Sequence, residues 1–236
     1  MAPEFVGAVP VRSERGQGQA LAPTNMLKVG LTGSIAVGKT YVLGVLAELG
    51  CRVLDADATA REVVAPGTAG LSSVVDAFGR EVLRDDGTLD RTSLGAIVFA
   101  DEEKRHLLNS ILHPLIINAQ DDQIRDWQRE TPDRIAVIDA ALMIESGGYR
   151  RFDKLIIVHC RPEVQLDRLI ARDGLSPEEA AKRIAAQMPQ ADKIKYADFL
   201  IDTSEGFASA RRRTKELFHE LETLVADRPT KALGEC

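Results

Sequence analysis

The sequence predicts an α/β protein of three layers, with about five parallel strands between helices, a helical substrate-binding insertion and a helical lid. Three observations predict it. Short apolar runs alternate with stretches of helical pattern, as in sheets whose strands are buried on both faces. The first run breaks into a glycine-rich turn that opens a helix. One long strand-free span interrupts the alternation between the second and third runs.

Taken in order, residues 1–25 are rich in Gly, Pro, Ala, Gln and Arg and lack periodicity, so they read as a disordered extension, a tag remnant or an over-extended start. The first strand begins at Leu27 and breaks at Gly33. Helical pattern follows from Lys39 to Leu49, and Gly50 sits where a C′ glycine stops a helix. Arg52-Val53-Leu54 is the second strand and leads into the turn Asp55-Ala56-Asp57. Residues 61–133 carry helices and turns and are read as the insertion. Ile135 to Ile138, Leu155 to Val158 and Phe199-Leu200-Ile201 supply the remaining strands. Ser176-Pro177-Glu178-Glu179 is a capping-box start with proline at the first helical position, opening an amphipathic helix through about Met188. Residues 174–197 are therefore read as the lid, with the core at 26–60, 134–173 and 198–224 and a flexible tail at 225–236.

Composition narrows the function classes. The formal net charge is -6 and no long basic run is present, which argues against a nucleic-acid binder, whose affinity comes from clustered Lys and Arg. Cys51, Cys160 and Cys236 show no metal-ligand spacing and no disulfide framework, which suits a reducing compartment. Cys160, near a strand end, reads as a small buried side chain. No stretch approaches the roughly 20 apolar residues of a membrane helix. The expectation is a soluble cytoplasmic protein, a monomer or small homo-oligomer, with neither nucleic acid nor membrane as partner.

Gly33-Ser34-Ile35-Ala36-Val37-Gly38-Lys39-Thr40 matches G-x-x-x-x-G-K-[ST] and lies between a strand and a helix, where that phosphate-binding loop belongs. The glycines let backbone N–H groups wrap phosphates, and the helix N-terminus adds positive potential. Lys39 reaches the β and γ oxygens and the Thr40 hydroxyl ligates Mg²⁺, which implies ATP and Mg²⁺ as donor and cofactor. The bland alternative is a glycine-rich turn without a ligand. Such a loop does not choose among ATPase, GTPase and kinase. The chain has no Asn-Lys-x-Asp to read guanine and no Leu-Ser-Gly-Gly transporter signature, which leaves small-molecule kinases as the leading branch.

Asp55 and Asp57 follow the second strand at its carboxyl end, the edge where open parallel sheets bind ligands. A carboxylate there can accept a hydroxyl proton during phosphoryl transfer. The alternative is that Asp57 only N-caps a helix from Ala58. Asp139, after four mainly apolar residues, either holds a Mg²⁺ hydration shell or serves as a cap or turn acid. Arg168 and Arg172 share a helix face by their i, i+4 spacing and read either as nucleotide contacts or as a solvated face. Lys182, Arg183, Lys193 and Lys195 read mostly as a solvated face, and His113-Pro114 as an extended structural turn.

The segment Leu54-Asp55-Ala56-Asp57-Ala58-Thr59-Ala60-Arg61-Glu62-Val63-Val64 resembles the one after the second strand of dephospho-CoA kinases. Ala65-Pro66-Gly67, Phe78-Gly79, Asp86-Gly87-Thr88-Leu89-Asp90-Arg91, Ile97-Val98-Phe99, the stretch Leu108 to Ile116 and Gln165-Leu166-Asp167-Arg168 recur in that family's order. So do Arg172-Asp173 and Ala197-Asp198, and the likeness runs from about Met26 to Leu224. The resemblance implies transfer of the ATP γ-phosphoryl group to the ribose 3′-hydroxyl of dephospho-CoA, giving coenzyme A and ADP. It further implies Asp57 as general base with Asp55 in support, Lys39 and Arg168 on the transferring charge, and Arg172 beside the nucleotide. Arg61, His113 and Glu145 would bind the acceptor. Two segments depart from the family's pattern. Ser34 and Ala36-Val37 stand where the family uses a second glycine and often Gly-Ser, and the stretch Asp139 to Glu145 replaces a Pro-Leu-Leu-Phe-Glu exit. Another nucleoside or nucleotide kinase on the same scaffold, or a nucleotide-sensing module without turnover, are the competing readings.

Overall fold

Five strands, β1 (Leu27–Gly33), β2 (Arg52–Asp55), β3 (Ile135–Asp139), β4 (Lys154–His159) and β5 (Phe199–Asp202), form one sheet in the order β2-β3-β1-β4-β5. All four pairings are parallel. The structure is a computed structural model that describes residues 26–131 and 134–228, so the expectations for residues 1–25 and for the end of the tail lie outside it. Alternate residues of each central strand face opposite layers, as the two-residue period of a strand requires. Val29, Leu31, Ile135, Val137, Ile156 and Val158 belong to one core with α1 (Lys39–Glu48) and α9 (Phe207–Ala226), which contributes Leu217, Phe218 and Leu221. On the other face, Ala136 and Ile138 pack with Ile124 and Trp127, while Leu155 and Ile157 pack with Met143 and Ile144.

Local chemistry explains the element ends. At the close of α1 the Gly50 N–H donates to Ala47 and the Cys51 N–H to Leu46, both at 3.0 Å, the paired reverse bonds of a Schellman stop. The chain then enters β2 directly. Ser176 and Glu179 form the expected reciprocal capping box at the start of α7 (Pro177–Ala185), which ends three residues before Met188. The preceding helix, α6 (Pro162–Asp173), also begins on a proline.

Between β2 and β3 the chain runs through α2 (Ala56–Glu62), α3 (Ala69–Phe78), α4 (Arg91–Ala100) and α5 (Glu102–Glu130). Val64, Leu71, Val74, Phe78, Val82, Leu89 and Leu94 form a separate small core there, with Leu108, Ile111 and Leu112 of α5 against it. Farther along, the same helix places Ile124 and Trp127 under the sheet. One 29-residue helix thus carries two cores. This corrects the reading of His113-Pro114 as an extended turn, since both residues lie inside α5. A proline there removes one i→i−4 bond, at a cost of about 3 kcal/mol in an isolated helix. Burial against two cores outweighs that local preference.

Among the described residues Cys51 and Cys160 are both free and buried. Burial pushes the Cys51 thiol up to about 12, and burial also raises Cys160. The thiolate is the reactive species, so both side chains should be inert in the native protein. Iodoacetamide at neutral pH is expected to leave Cys51 and Cys160 unmodified in the folded chain and to label both after denaturation, as read by peptide mass mapping.

Candidate active site

The sheet reverses its direction of winding at β1, and a parallel sheet binds ligands beyond the carboxyl ends of its strands at such a point. The loop Gly33 to Gly38 occupies that position. A Cβ on Gly33 would lie 2.5 Å from the Val158 carbonyl oxygen, so only glycine lets β1 end this close to β4. Gly38 has φ +87° and precedes α1 without any side-chain cap, which leaves the first-turn N–H groups of that helix facing out of the loop. Ala36 has φ +61°, and among the described residues it is the one non-glycine residue with positive φ. The departure noted in the sequence therefore carries strain, because a Cβ in the left-handed region costs about 1 kcal/mol or more.

Side chains distant in sequence hold the loop in this shape. Gln165, buried, donates to the Ile35 carbonyl at 2.7 Å, while the Ile35 N–H donates to Gln187 Oε1 at 2.8 Å. Gln190 donates to Gln165 at 2.7 Å and completes an amide chain. The buried Thr203 hydroxyl donates to the Val37 carbonyl at 2.7 Å, and Arg168 grips Thr203 with two bonds of 2.8 Å, one to Oγ1 and one to the carbonyl. The Arg168 guanidinium also lies over the Phe207 ring, 5.7 Å from its centroid, and Phe207 stacks on Tyr41. Ser34 Oγ is buried with no partner among the described residues. An orphaned hydroxyl, a helix N-terminus without a cap and a lysine at its first turn together fit a bound polyphosphate.

Three carboxylates gather where β2 and β3 end, and Lys39 pairs with one of them. Asp139 ends β3, is 7% exposed and accepts a hydrogen bond from Lys39 Nζ, so its side chain serves that pair and not a cap. Burial raises its pKa; Lys39 opposes the rise, and Asp55 and Asp57 add to it. Asp55 is opposite Asp139 in the β2–β3 register. It N-caps α2, accepting from the N–H groups of Asp57 at 2.8 Å and Ala58 at 3.2 Å. The alternative reading of Asp57 as an N-cap does not hold, since Asp55 makes that cap. Asp57 sits in the first turn of α2, exposed, and its carboxylate accepts no hydrogen bond among the described residues. Among those residues no group of three or more His, Cys, Asp or Glu is arranged to hold a metal.

Beside this cluster opens a cavity of about 430 Å³, lined by Asp57, Asn109, His113, Leu142, Glu145 and Arg151 among others. It joins α2, α5 and the segment after β3. Three of the expected site residues, Asp57, His113 and Glu145, thus meet on one wall system. Arg61, exposed in the last turn of α2, lies outside that lining. Arg172 is exposed and bound to Asp173, which also takes Arg183 of α7 at 3.0 Å. The Asp173 carboxylate, held by Arg172 on one side and Arg183 on the other, is what links α6 to α7. Lys193 overturns its reading as solvated: its side chain is 1% exposed and lies 2.8 Å from Glu145. Gln165 entered the sequence reading only as part of a recurring motif, without a role, and Gln187 and Thr203 carry no local signal because their partners lie far along the chain.

Comparison with known proteins follows the same line. A family model described as dephospho-CoA kinase matches residues 27–209. A dephospho-CoA kinase of Streptomyces avermitilis is 42% identical over 199 residues, covering 83% of this chain and 94% of that protein. One from Moorella thermoacetica is 41% identical over 204 residues, covering 86% and 96%. Among solved structures, a dephospho-CoA kinase from Campylobacter jejuni aligns with TM-score 0.64 at 28% identity, covering 83% of this chain and 97% of that one. A Thermus thermophilus protein aligns with TM-score 0.73 at 29% identity, covering 83% and 98%. No helix among the described residues is long and apolar enough to cross a membrane.

Two outcomes test this geometry. Ala36→Gly should raise stability by about 1 kcal/mol in denaturant titration, since glycine removes the left-handed penalty. For Asp139, a raised folded pKa means its contribution to stability is greatest at acid pH and is lost as pH rises through the folded value. Asp139→Asn should therefore leave the protein without added nucleotide at least as stable at pH 7, with the difference shrinking toward the ordinary carboxylate range, while phosphoryl transfer falls at least about tenfold.

Proposed function

The chain belongs to the dephospho-CoA kinase family, and from that membership we propose how its own residues divide the work of phosphorylating the dephospho-CoA 3′-hydroxyl with ATP. The observation that carries the assignment is the juxtaposition of a phosphate loop with a carboxylate, Asp57, that borders an adjoining cavity and has no partner of its own. ATP places its polyphosphate on the loop, with the α1 N-terminus and Lys39 neutralising charge. Arg168 stays at the loop's flank and adds positive potential there. Thr40 and Asp139 are the residues that would hold Mg²⁺, which when bound spreads the charge of the β and γ oxygens.

The acceptor occupies the cavity beneath α2 and α5. Asp57 accepts the 3′-hydroxyl proton as the oxygen attacks in line, and His113 and Glu145 orient the acceptor from the opposite walls. Asp55 keeps the Asp57 turn in place by capping α2. Water reaching the loop would hydrolyse ATP without acceptor, so closure matters. We assign that closure to residues 174–186, whose α7 leans on α6 through the Arg183–Asp173 ion pair. Residues 187–197 are fixed to the core through Gln187, Gln190 and Lys193.

The direct measurement is ADP release with Mg-ATP and dephospho-CoA, AMP, adenosine or no acceptor. Turnover selective for dephospho-CoA is expected, and Asp57→Asn should lower kcat by about 10²- to 10⁴-fold with little change in ATP binding. Retention of wild-type kcat in that variant would remove Asp57 from the base role.

A further inference from the structure

Lys193 is among the largest fully buried side chains in the molecule, at the end of α8 (Gln190–Lys193). A lysine out of water is costly unless its charge is met. Here Nζ lies 2.8 Å from Glu145 Oε1 and donates to the Ala141 carbonyl at 3.2 Å. The same carbonyl accepts from Thr32 Oγ1 at 3.3 Å, one residue before the phosphate loop begins. Glu145 is 24% exposed and lines the cavity, so one end of its carboxylate meets a buried cation while its remaining lone pairs stay open to the cavity. The segment that carries Lys193 does not float, because Gln187 and Gln190 tie it to Ile35, Cys160 and Gln165.

Replacing a buried ion pair by apolar groups of similar volume is commonly neutral or stabilising, so stability alone does not explain a lysine at this place. We propose that Lys193 is a positioning residue for the acceptor: it fixes the Glu145 carboxylate in the cavity wall, where that carboxylate accepts a hydrogen bond from an acceptor hydroxyl. The proposal rests on the reading of the cavity as the acceptor site. It makes the return segment of the 174–197 region part of the acceptor wall, while the preceding arm closes over the nucleotide.

The test uses the full chain with dephospho-CoA and Mg-ATP varied in turn, alongside thermal unfolding. Lys193→Met and Glu145→Gln should each raise KM for dephospho-CoA about tenfold, the scale of one hydrogen bond to a charged group, with KM for ATP within about twofold of wild type. Glu145→Gln also leaves a buried ammonium uncompensated and should lower Tm. In the double variant Tm should recover while KM for dephospho-CoA stays raised, because no charge remains to be buried but no positioned carboxylate remains either. Recovery of KM together with Tm, or equal changes in KM for both substrates, would overturn the proposal. Glu145→Asp, which keeps the charge facing Lys193 but withdraws it by one methylene, provides a variant that folds if the others do not; an unchanged KM for dephospho-CoA in it would also overturn the idea. A wild type without turnover of dephospho-CoA would instead sink the acceptor reading beneath it.

Discussion

The structure depends on keeping six residues of backbone, Gly33 to Gly38, open around a highly charged anion. No regular element can do this, because a helix or strand would satisfy the N–H groups that the anion needs. The loop must therefore be held by side chains. Gln165 and Gln187 hold Ile35 from two elements, Thr203 holds Val37, and Arg168 in turn holds Thr203. Loop shape is thus a tertiary property, set by strands and helices that come much later in the chain. The left-handed Ala36 shows the force of this constraint, since the surroundings impose a conformation that its own side chain disfavours.

From that loop the rest of the design follows. In the proposed reading the acceptor lies in the cavity that α2 and α5 help to wall, and in-line transfer then requires those helices to be rigid relative to the loop. A separate core at Val74, Phe78 and Leu94 makes the insertion stiff, and α5 joins that core to the sheet by burying Leu108 and Leu112 at one end and Ile124 at the other. His113 lies between these two anchorages, so its position is set by packing on both sides.

Much of this was legible in the sequence, for reasons that can be traced to particular residues. Signals that act over a few residues were faithful: the alternating strands, the Gly50 stop, the Ser176–Glu179 cap and the loop itself all depend on neighbours in the chain. What could not be read depends on distant partners. Gln165 meets Ile35 across 130 residues and Lys193 meets Ala141 across 52, and neither pairing has a local signature. His113-Pro114 misled in the opposite direction. Its local preference for an extended turn is real, but it was outweighed by two cores that no short window contains. The alternative of Asp57 as the cap of a helix from Ala58 failed because α2 starts two residues earlier, at Ala56 with Asp55 as its cap, a boundary that periodicity does not resolve.

That two-residue shift decides which acid of the cluster is committed to backbone. Three aspartates of the same intrinsic acidity lie at the ends of two adjacent strands, and their surroundings separate them. Asp139 is buried and committed to Lys39, so it governs the charge balance of the phosphate side. Asp55 commits one oxygen, Oδ1, to two backbone N–H groups, which fixes the first turn of α2 and the orientation of that carboxylate. Asp57, two residues on, is turned by that same cap toward the cavity with its own lone pairs unspent. Had Asp57 made the cap, the carboxylate bordering the cavity would have been committed to backbone, and the proposed proton acceptor would have been a structural acid instead. Hydrogen-bond accounting at one helix start thus gives two acids separated by a single alanine different surroundings, and the proposed division of labour between them rests on that difference.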